Sequence, residues 1–288
     1  NYMMAGTGNI ASVIASRISY ILGLQGPALL VDTACSSSLV ALTQACNDIN
    51  NNRCETALVG GLNLLIPNAV SEDEKDSIPA IISTSYRTKT FSDNADGTGM
   101  CEAVIAIVVK KLQKAIRNKD HIYAVIKGSS VNNDGISLGL TAPNQEAQEK
   151  VLHDAWKNSR VNPEQISYIE AHGTGTELGD PIELSALKAA FEKYTARKQF
   201  CGIGSGKSYF GHPDSAAGLL GVLKCITSLQ YRKLYGNANF LCPTKKFDFF
   251  DSPIYVVNDT TDWESPLDEP RICGVSAFGL SGTNCHVV

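Results

Sequence analysis

Residues 28–42 read ALLVDTACSSSLVAL, an apolar run that passes through small residues into a second apolar pattern. The run from Ala28 is short, continuous and apolar, which predicts a buried strand. Beyond it the spacing changes, because Leu39, Leu42, Cys46 and Ile49 step by 3, 4 and 3 and so mark one face of a helix ending at the Asn50 to Asn52 run. A strand that feeds a helix through small residues is the basic joint of an α/β fold. It also sets Cys35 at or near a helix N-terminus.

The alternation continues in both directions. Upstream, Ile10, Val13, Ile14, Ile18 and Ile21 recur at helical spacing up to Gly23, a helix stop. Downstream, TALVGG, EAVIAIVV, YAVIKG around Val125, ISYIEAH around Ile169, FCGIG around Gly202, IYVVN around Val256 and ICGVSAFG around Val275 read as short strands. Helical faces fall between several of them, marked by Ala147, Val151 and Ala155, by Leu184, Leu187, Phe191 and Tyr194, and by Leu219, Val222, Ile226 and Leu229. Asp180, Pro181 and Glu183 predict an N-cap, a first-turn proline and an N3 carboxylate, a variant of the capping box. Short apolar strands alternating with amphipathic helices predict an α/β layered fold with a covered sheet.

Composition narrows the function. The 288 residues carry 25 Lys plus Arg against 29 Asp plus Glu, a net charge of −4, which argues against nucleic acid or another polyanion as the main partner. The apolar run Ala103 to Val109 has seven residues, far short of the roughly 18 that span a bilayer. The opening NYMMAGTGN has neither a basic n-region nor a long apolar h-region. Nine cysteines without a CxxC pair predict a reduced, cytoplasmic protein rather than a disulfide scaffold or zinc site. The chain opens on Asn1 in mid-pattern, which predicts a processed product or a piece of something longer.

Three side chains stand out for chemistry. At a helix N-terminus, unpaired N–H groups and the positive end of the dipole predict a stabilised Cys35 thiolate, a nucleophile. Most free cysteines are instead core residues, and Cys46, on the apolar helix face, is read that way. His172 stands in EAHGTGTELGDPIE, in a turn of glycines and threonines where Thr174 and Thr176 can hydrogen-bond amides. His212, in GKSYFGHPDSAAG, occupies an equivalent setting ahead of a helix. GIGSGKS fails as a phosphate loop, because the motif requires glycine where Cys201 stands. The histidines form no metal-ligand spacing, so no metal is expected, and His286 reads as a core strand residue.

The motifs DTACSSSL, EAHGTGT, GKSYFGH and SAFGLSGTNCH, in that order, resemble the β-ketoacyl synthase domains of modular polyketide synthases. TKTFSDNADGTG, VNNDGISLGLTAPNQEAQ and GDPIELSAL between them also resemble family sequence, so the likeness spans nearly the whole chain. It implies the thiolase-like fold, two similar halves layered α-β-α-β-α, with residues 1–115 as the remainder of an N-terminal half carrying the nucleophile and 116–288 as a C-terminal half carrying the two histidines. The family domain extends upstream of the segment resembling NYMMAGTGN, which implies that the N-terminal half is incomplete, with apolar faces uncovered and marginal solubility.

The resemblance also implies roles. Cys35 would take an acyl chain from a carrier-protein thioester, and His172 and His212 would hydrogen-bond the carbonyl of a malonyl-type thioester during decarboxylative condensation. The backbone N–H groups of Cys35 and Leu280 would form the oxyanion hole, Lys207 would support the histidines, and Thr174 and Thr176 would bind the phosphopantetheine arm. No cofactor is expected in the domain itself, since substrates arrive on the phosphopantetheine of acyl carrier protein. Carrier and acyltransferase domains of the same assembly line, and a second copy in a homodimer, are the expected partners. A non-elongating acyl-transferring ketosynthase and a noncatalytic scaffold are the alternatives, and the presence of His172 counts against the first. Leu280 departs from the commoner phenylalanine of GFGG, Cys101 and Ala103 from the commoner GTxxGEGA, and Tyr209 and Pro213 from commoner residues around the second histidine.

Overall fold

The computed structural model describes residues 6–8, 10–65, 81–265 and 269–288. Helix α1 (Ser12–Leu22) ends at Gly23 in the left-handed region, as the sequence predicts, and α2 (Ser37–Asn50) follows the Cys35 turn. Strands β1 (Thr56–Asn63) and β2 (Ala103–Lys110) pair antiparallel as a two-stranded ribbon. After α3 (Leu112–Asn118) come β3 (Ser129–Asn133), α4 (Gln145–Ser159), β4 (Ile166–Glu170), α5 (Gly179–Glu192), β5 (Cys201–Gly204), the single turn α6 (Lys207–Phe210) and α7 (Ala217–Tyr231). Strands β6 (Lys233–Leu234) and β8 (Thr261–Asp262) form a second, minimal ribbon. The remaining strands are β7 (Ile254–Val256), β9 (Ile272–Phe278) and β10 (Thr283–Val287).

The main sheet is mixed, in the order β3-β10-β9-β4-β5-β7. Its β9-β4-β5-β7 portion is parallel and β3 and β10 are added antiparallel. Helices cover both faces, which is why the parallel strands are continuously apolar rather than alternating. On one face α4 and α5 enclose Trp156, Ile166, Ile169, Leu184, Phe191 and Ile203. On the other, α2 and α7 lie between the sheet and the β1–β2 ribbon, burying Leu39, Leu42, Val59, Tyr168, Leu219 and Val275. A register irregularity between Ile166 and Tyr168 lets Ile166 and Ile169 face one layer and Tyr168 the other, the usual effect of a bulge. His286 is fully buried on β10, where Nε2 accepts from Trp156 Nε1–H at 3.2 Å and Nδ1 meets Ser276 Oγ at 2.9 Å.

Three expectations are corrected. Ala28–Asp32 is not a buried strand; Leu29 and Leu30 are exposed. A strand needs a hydrogen-bonded neighbour, and the segment's sole bridge among described residues is the local one between Thr33 and Cys35. Tyr123–Gly128 is not a strand either: the segment meets the sheet edge only at its end, where Lys127 and Gly128 bond Val288, and β3 begins at Ser129 opposite Val287. Asp180 is not an N-cap but lies inside the first turn of α5, with its carboxylate and that of Glu183 turned to neighbouring loops. Among the described residues apolar surface stays open along α1, at Ile14, Ile18 and Ile21, on the outer face of the ribbon, where Leu58 opposes Val108 and Leu62 opposes Val104, and in the loop that carries Ile136, Leu138 and Leu140.

The joint that places Cys35 is the crossing of α2 over α7. A Cβ on Gly218 would fall 2.6 Å from Leu39 Cβ and 2.8 Å from Leu39 N, so only glycine permits this approach. Ser38 Oγ accepts the Leu219 N–H at 3.2 Å across the same contact. Gly218→Val is therefore expected to lower unfolding stability by about 1–3 kcal/mol through overpacking, measured by chemical denaturation, whereas Leu223→Ala on the solvent side of α7 should cost far less.

Candidate active site

The Cys35 turn is tied by hydroxyls. Ser37 Oγ accepts the Thr33 N–H at 2.8 Å and donates to Ala34 O at 2.6 Å, and Ser36 Oγ donates to Thr33 O at 2.9 Å. Ala34 is held at φ 55°, a conformation uncommon for a residue with a Cβ, and Cys35 follows it two residues before α2 begins. The FGLSG turn closes over this corner. A Cβ on Gly279 would lie 2.2 Å from Thr33 O, Ser281 Oγ donates to Thr33 O at 3.2 Å, and the Leu280 N–H lies close enough to the Cys35 sulfur to favour its charged form.

His172 follows β4 and His212 follows α6, and the two rings meet at right angles with centroids 5.7 Å apart. One ring nitrogen of each and Cys35 Sγ lie within 4.8 Å of one another. Phe278 flanks the His172 ring at 5.7 Å. Burial, with the ammonium of Lys207 beside them, pushes both histidines well below the ordinary imidazole range, so both are neutral at physiological pH. The Asp214 N–H donates to His212 Nδ1 at 2.9 Å, which leaves the proton of the neutral ring on Nε2. His172 Nδ1 is buried without a partner among the described residues.

Backbone contacts fix both histidine loops. The His172 and Gly173 N–H groups donate to the two oxygens of Glu183 at 2.7 and 2.8 Å. Asp180 accepts the Gly175 N–H at 3.0 Å and the Phe91 N–H at 2.7 Å. Burial lifts both carboxyls, each to about 7. The Lys207 ammonium, itself 4% exposed, donates to His172 O at 2.6 Å. His212 is pinned from the other side, its N–H donating to Gly99 O and its carbonyl accepting the Cys101 N–H. Thr174 and Thr176 lie on the turn after His172 with their hydroxyl oxygens 3.1 Å apart, and Thr176 Oγ1 also accepts the Gly179 N–H at 3.1 Å. Lys224, Glu170 and Tyr168 form a buried set below the site, the Lys224–Glu170 ion pair at 2.9 Å and Tyr168 O–H donating to Glu170 at 2.7 Å.

The structure thus brings Cys35, His172, His212, Lys207 and the Leu280 amide together. It corrects the thiolate expectation, because burial, then the nearby Asp214 carboxylate, pushes the Cys35 thiol up to about 11. The free protein holds a thiol, and Cys35 Sγ–H donates to Asp214 Oδ1 at 3.4 Å. The three clustered donors are near enough to share a metal ion, but the Lys207 ammonium opposes a second cation. Sequence reading missed Asp214, and it read Asp180 and Glu183 only as caps. The signal for Asp214 is its place two residues after His212.

Comparison with known proteins agrees with this geometry. The chain matches the β-ketoacyl synthase N-terminal domain over residues 1–115 and the C-terminal domain over residues 123–241. It is 42% identical to polyketide synthase PksL of Bacillus subtilis, covering 98% of this chain and 6% of that protein. It is 41% identical to polyketide synthase GfsE of Streptomyces halstedii, covering 98% of this chain and 7% of that protein. The ketosynthase from module 6 of the Bacillus subtilis bacillaene synthase superposes with a TM-score of 0.93 at 41% identity, over 98% of this chain and 50% of that one. The chain therefore spans about half of the solved ketosynthase it matches and a small fraction of the synthases. With both domain matches, the superposition and the clustered cysteine and histidines taken together, the chain belongs to the β-ketoacyl synthase family, as part of a ketosynthase domain of the modular polyketide synthase kind with the thiolase-like fold.

Proposed function

We propose that the chain carries the condensing site of a polyketide synthase, in which Cys35 receives an acyl chain and the two histidines promote its decarboxylative condensation with a malonyl-type thioester. The observation that carries this reading is the convergence of the Cys35 sulfur and two neutral imidazoles within 4.8 Å under the Leu280 N–H. Cys35 Sγ attacks the acyl thioester carbonyl, the pantetheine sulfur leaves and takes up the proton, and the tetrahedral oxyanion rests on the Cys35 and Leu280 N–H groups. A malonyl-type thioester then enters. His212 Nε2–H and the His172 ring donate to its carbonyl, the bond to the carboxylate breaks with loss of carbon dioxide, and the resulting enolate attacks the acyl carbon and expels the Cys35 sulfur.

Lys207 acts by position, keeping the His172 loop in place and both rings neutral. We assign Thr174 and Thr176 to the phosphopantetheine arm, residues 1–115 to the half that bears the nucleophile and 116–288 to the half that bears the histidines. Carrier protein delivers both substrates, acyltransferase and further domains of the same assembly line adjoin, a second copy completes a homodimer, and the setting is cytoplasmic. No described helix is long and apolar enough to cross a membrane.

Intact mass spectrometry after incubation with a short acyl thioester is expected to show one adduct that Cys35→Ala removes; an adduct that survives Cys35→Ala overturns the assignment. His172→Ala and His212→Ala are each expected to retain the adduct while losing condensation by about 10²–10³, read by product formation from malonyl carrier protein. Because both histidine pKa values lie well below the ordinary imidazole range, the active neutral forms persist as pH falls through 6.5. The condensation rate should accordingly show no histidine-type loss between pH 7.5 and 6.5, measured in a pH–rate profile.

A further inference from the structure

Asp214 is joined to both halves of the reacting set. Its carboxylate accepts from the Cys35 thiol at 3.4 Å, and its own N–H donates to His212 Nδ1 at 2.9 Å. It does so from φ 40°, a backbone state that a residue with a Cβ adopts at a cost. Such strain marks a position whose conformation the surroundings impose. No ion pair engages its carboxylate among the described residues, so its negative charge faces Cys35 without a cation bound to it.

We propose that Asp214 is a further catalytic residue: its carboxylate holds the Cys35 proton in the free enzyme and, by like-charge repulsion, makes Cys35 accept uncharged acyl thioesters in preference to malonyl ones. The inference rests on the reaction proposed above and deepens it. A condensing site meets two thioesters, one of which carries a carboxylate and must not acylate the nucleophile. Asp214 Oδ1 lies 3.4 Å from Cys35 Sγ, so a malonyl thioester that presented its carbonyl to the sulfur would bring its own carboxylate into the field of this one. In the productive acylation the Cys35 Sγ–acyl carbon bond forms and the acyl carbon–pantetheine sulfur bond breaks. The thiol proton passes from Cys35 to the departing sulfur, and Asp214 begins and ends the step as a carboxylate. The other groups facing Cys35 are His172 and His212, both neutral, and Lys207, whose ammonium is bonded to His172 O and lies among Glu170, Glu183 and Asp180.

The test uses the natural polypeptide that carries this chain, with alkylation of Cys35 followed by peptide mass spectrometry from pH 6 to 11. Iodoacetamide, uncharged, reports the thiol, and iodoacetate, anionic, reports the repulsion. Asp214→Asn and Asp214→Gly both suit a positive φ and remove the charge. Each is expected to lower the pH midpoint of iodoacetamide labelling by about one unit, a roughly tenfold faster reaction at pH 7.5, and to raise the iodoacetate-to-iodoacetamide ratio several-fold. Asp214→Glu keeps the charge and should keep the midpoint high. An unchanged midpoint or an unchanged ratio in both neutral variants overturns the proposal. Should both variants melt well below the unaltered protein, the unaltered protein decides: its iodoacetate-to-iodoacetamide ratio at Cys35 must fall below that at the exposed Cys242, and an equal ratio overturns the proposal. Alkylation involves neither carrier nor thioester. A missing shift therefore removes the role of Asp214 while leaving acyl transfer intact, and a missing acyl adduct with the shift present removes the condensation reading alone.

Discussion

Two buried carboxylates hold the site in shape. The loop that carries His172 lies too deep for water to serve its amides, and a buried N–H without an acceptor costs free energy comparable to a lost hydrogen bond. Glu183 accepts from His172 and Gly173, and Asp180 accepts from Gly175 and Phe91. Burial disfavours their charge, and each carboxyl stands near 7, so the loop amides and the Lys207 ammonium are what keep them partly ionised in a dry interior. Loop, carboxylates and lysine thus stabilise one another. His172 inherits its position from that arrangement, and the Lys207 ammonium adds to the burial that keeps both rings neutral.

Much of this was legible in the residues. The small-residue turn between apolar run and helix singled out Cys35, and the glycine-rich turns singled out His172 and His212, because chemistry of this type needs backbone close to the substrate. Strand identity at β4, β5 and β9 followed from short apolar runs, and the α1 stop from Gly23. The failures have physical reasons. ALLVDTA and YAVIKG have strand composition, but a strand exists only where a neighbour pairs with it, and pairing is a long-range fact. The Asp180–Glu183 pattern fits a capping box by spacing, yet tertiary acceptor demand from the His172 loop overrides the local use of both side chains. Cys35 was expected as a thiolate from its helix end alone, while its actual state follows from burial and from a carboxylate 179 positions away in sequence.

The departures from common family sequence sit in different surroundings. Leu280 is half exposed at the lip of the site and its N–H lies beside Cys35, a backbone placement that does not depend on an aromatic ring at this position. Cys101 donates its N–H to the His212 carbonyl, a backbone use indifferent to its side chain. Pro213 is buried between His212 and Asp214. Tyr209 points to solvent and is half exposed.

The order of the main sheet has a consequence for biosynthesis. Among the described residues its edge strand β3 pairs only with β10, which lies about 150 residues later in the chain, and β4 meets β9 about 100 residues on. At about 5–20 residues per second of synthesis, β3 waits roughly 8–30 s on the ribosome before its partner emerges. Until Thr283–Val287 leaves the exit tunnel β3 has no partner and stays detached from the β9-β4-β5-β7 block. The turn between β9 and β10, which closes over the Cys35 corner, is therefore among the last features of the molecule to assemble, and the nascent chain must be kept from pairing its open β3 and β4 edges with other chains in the interval.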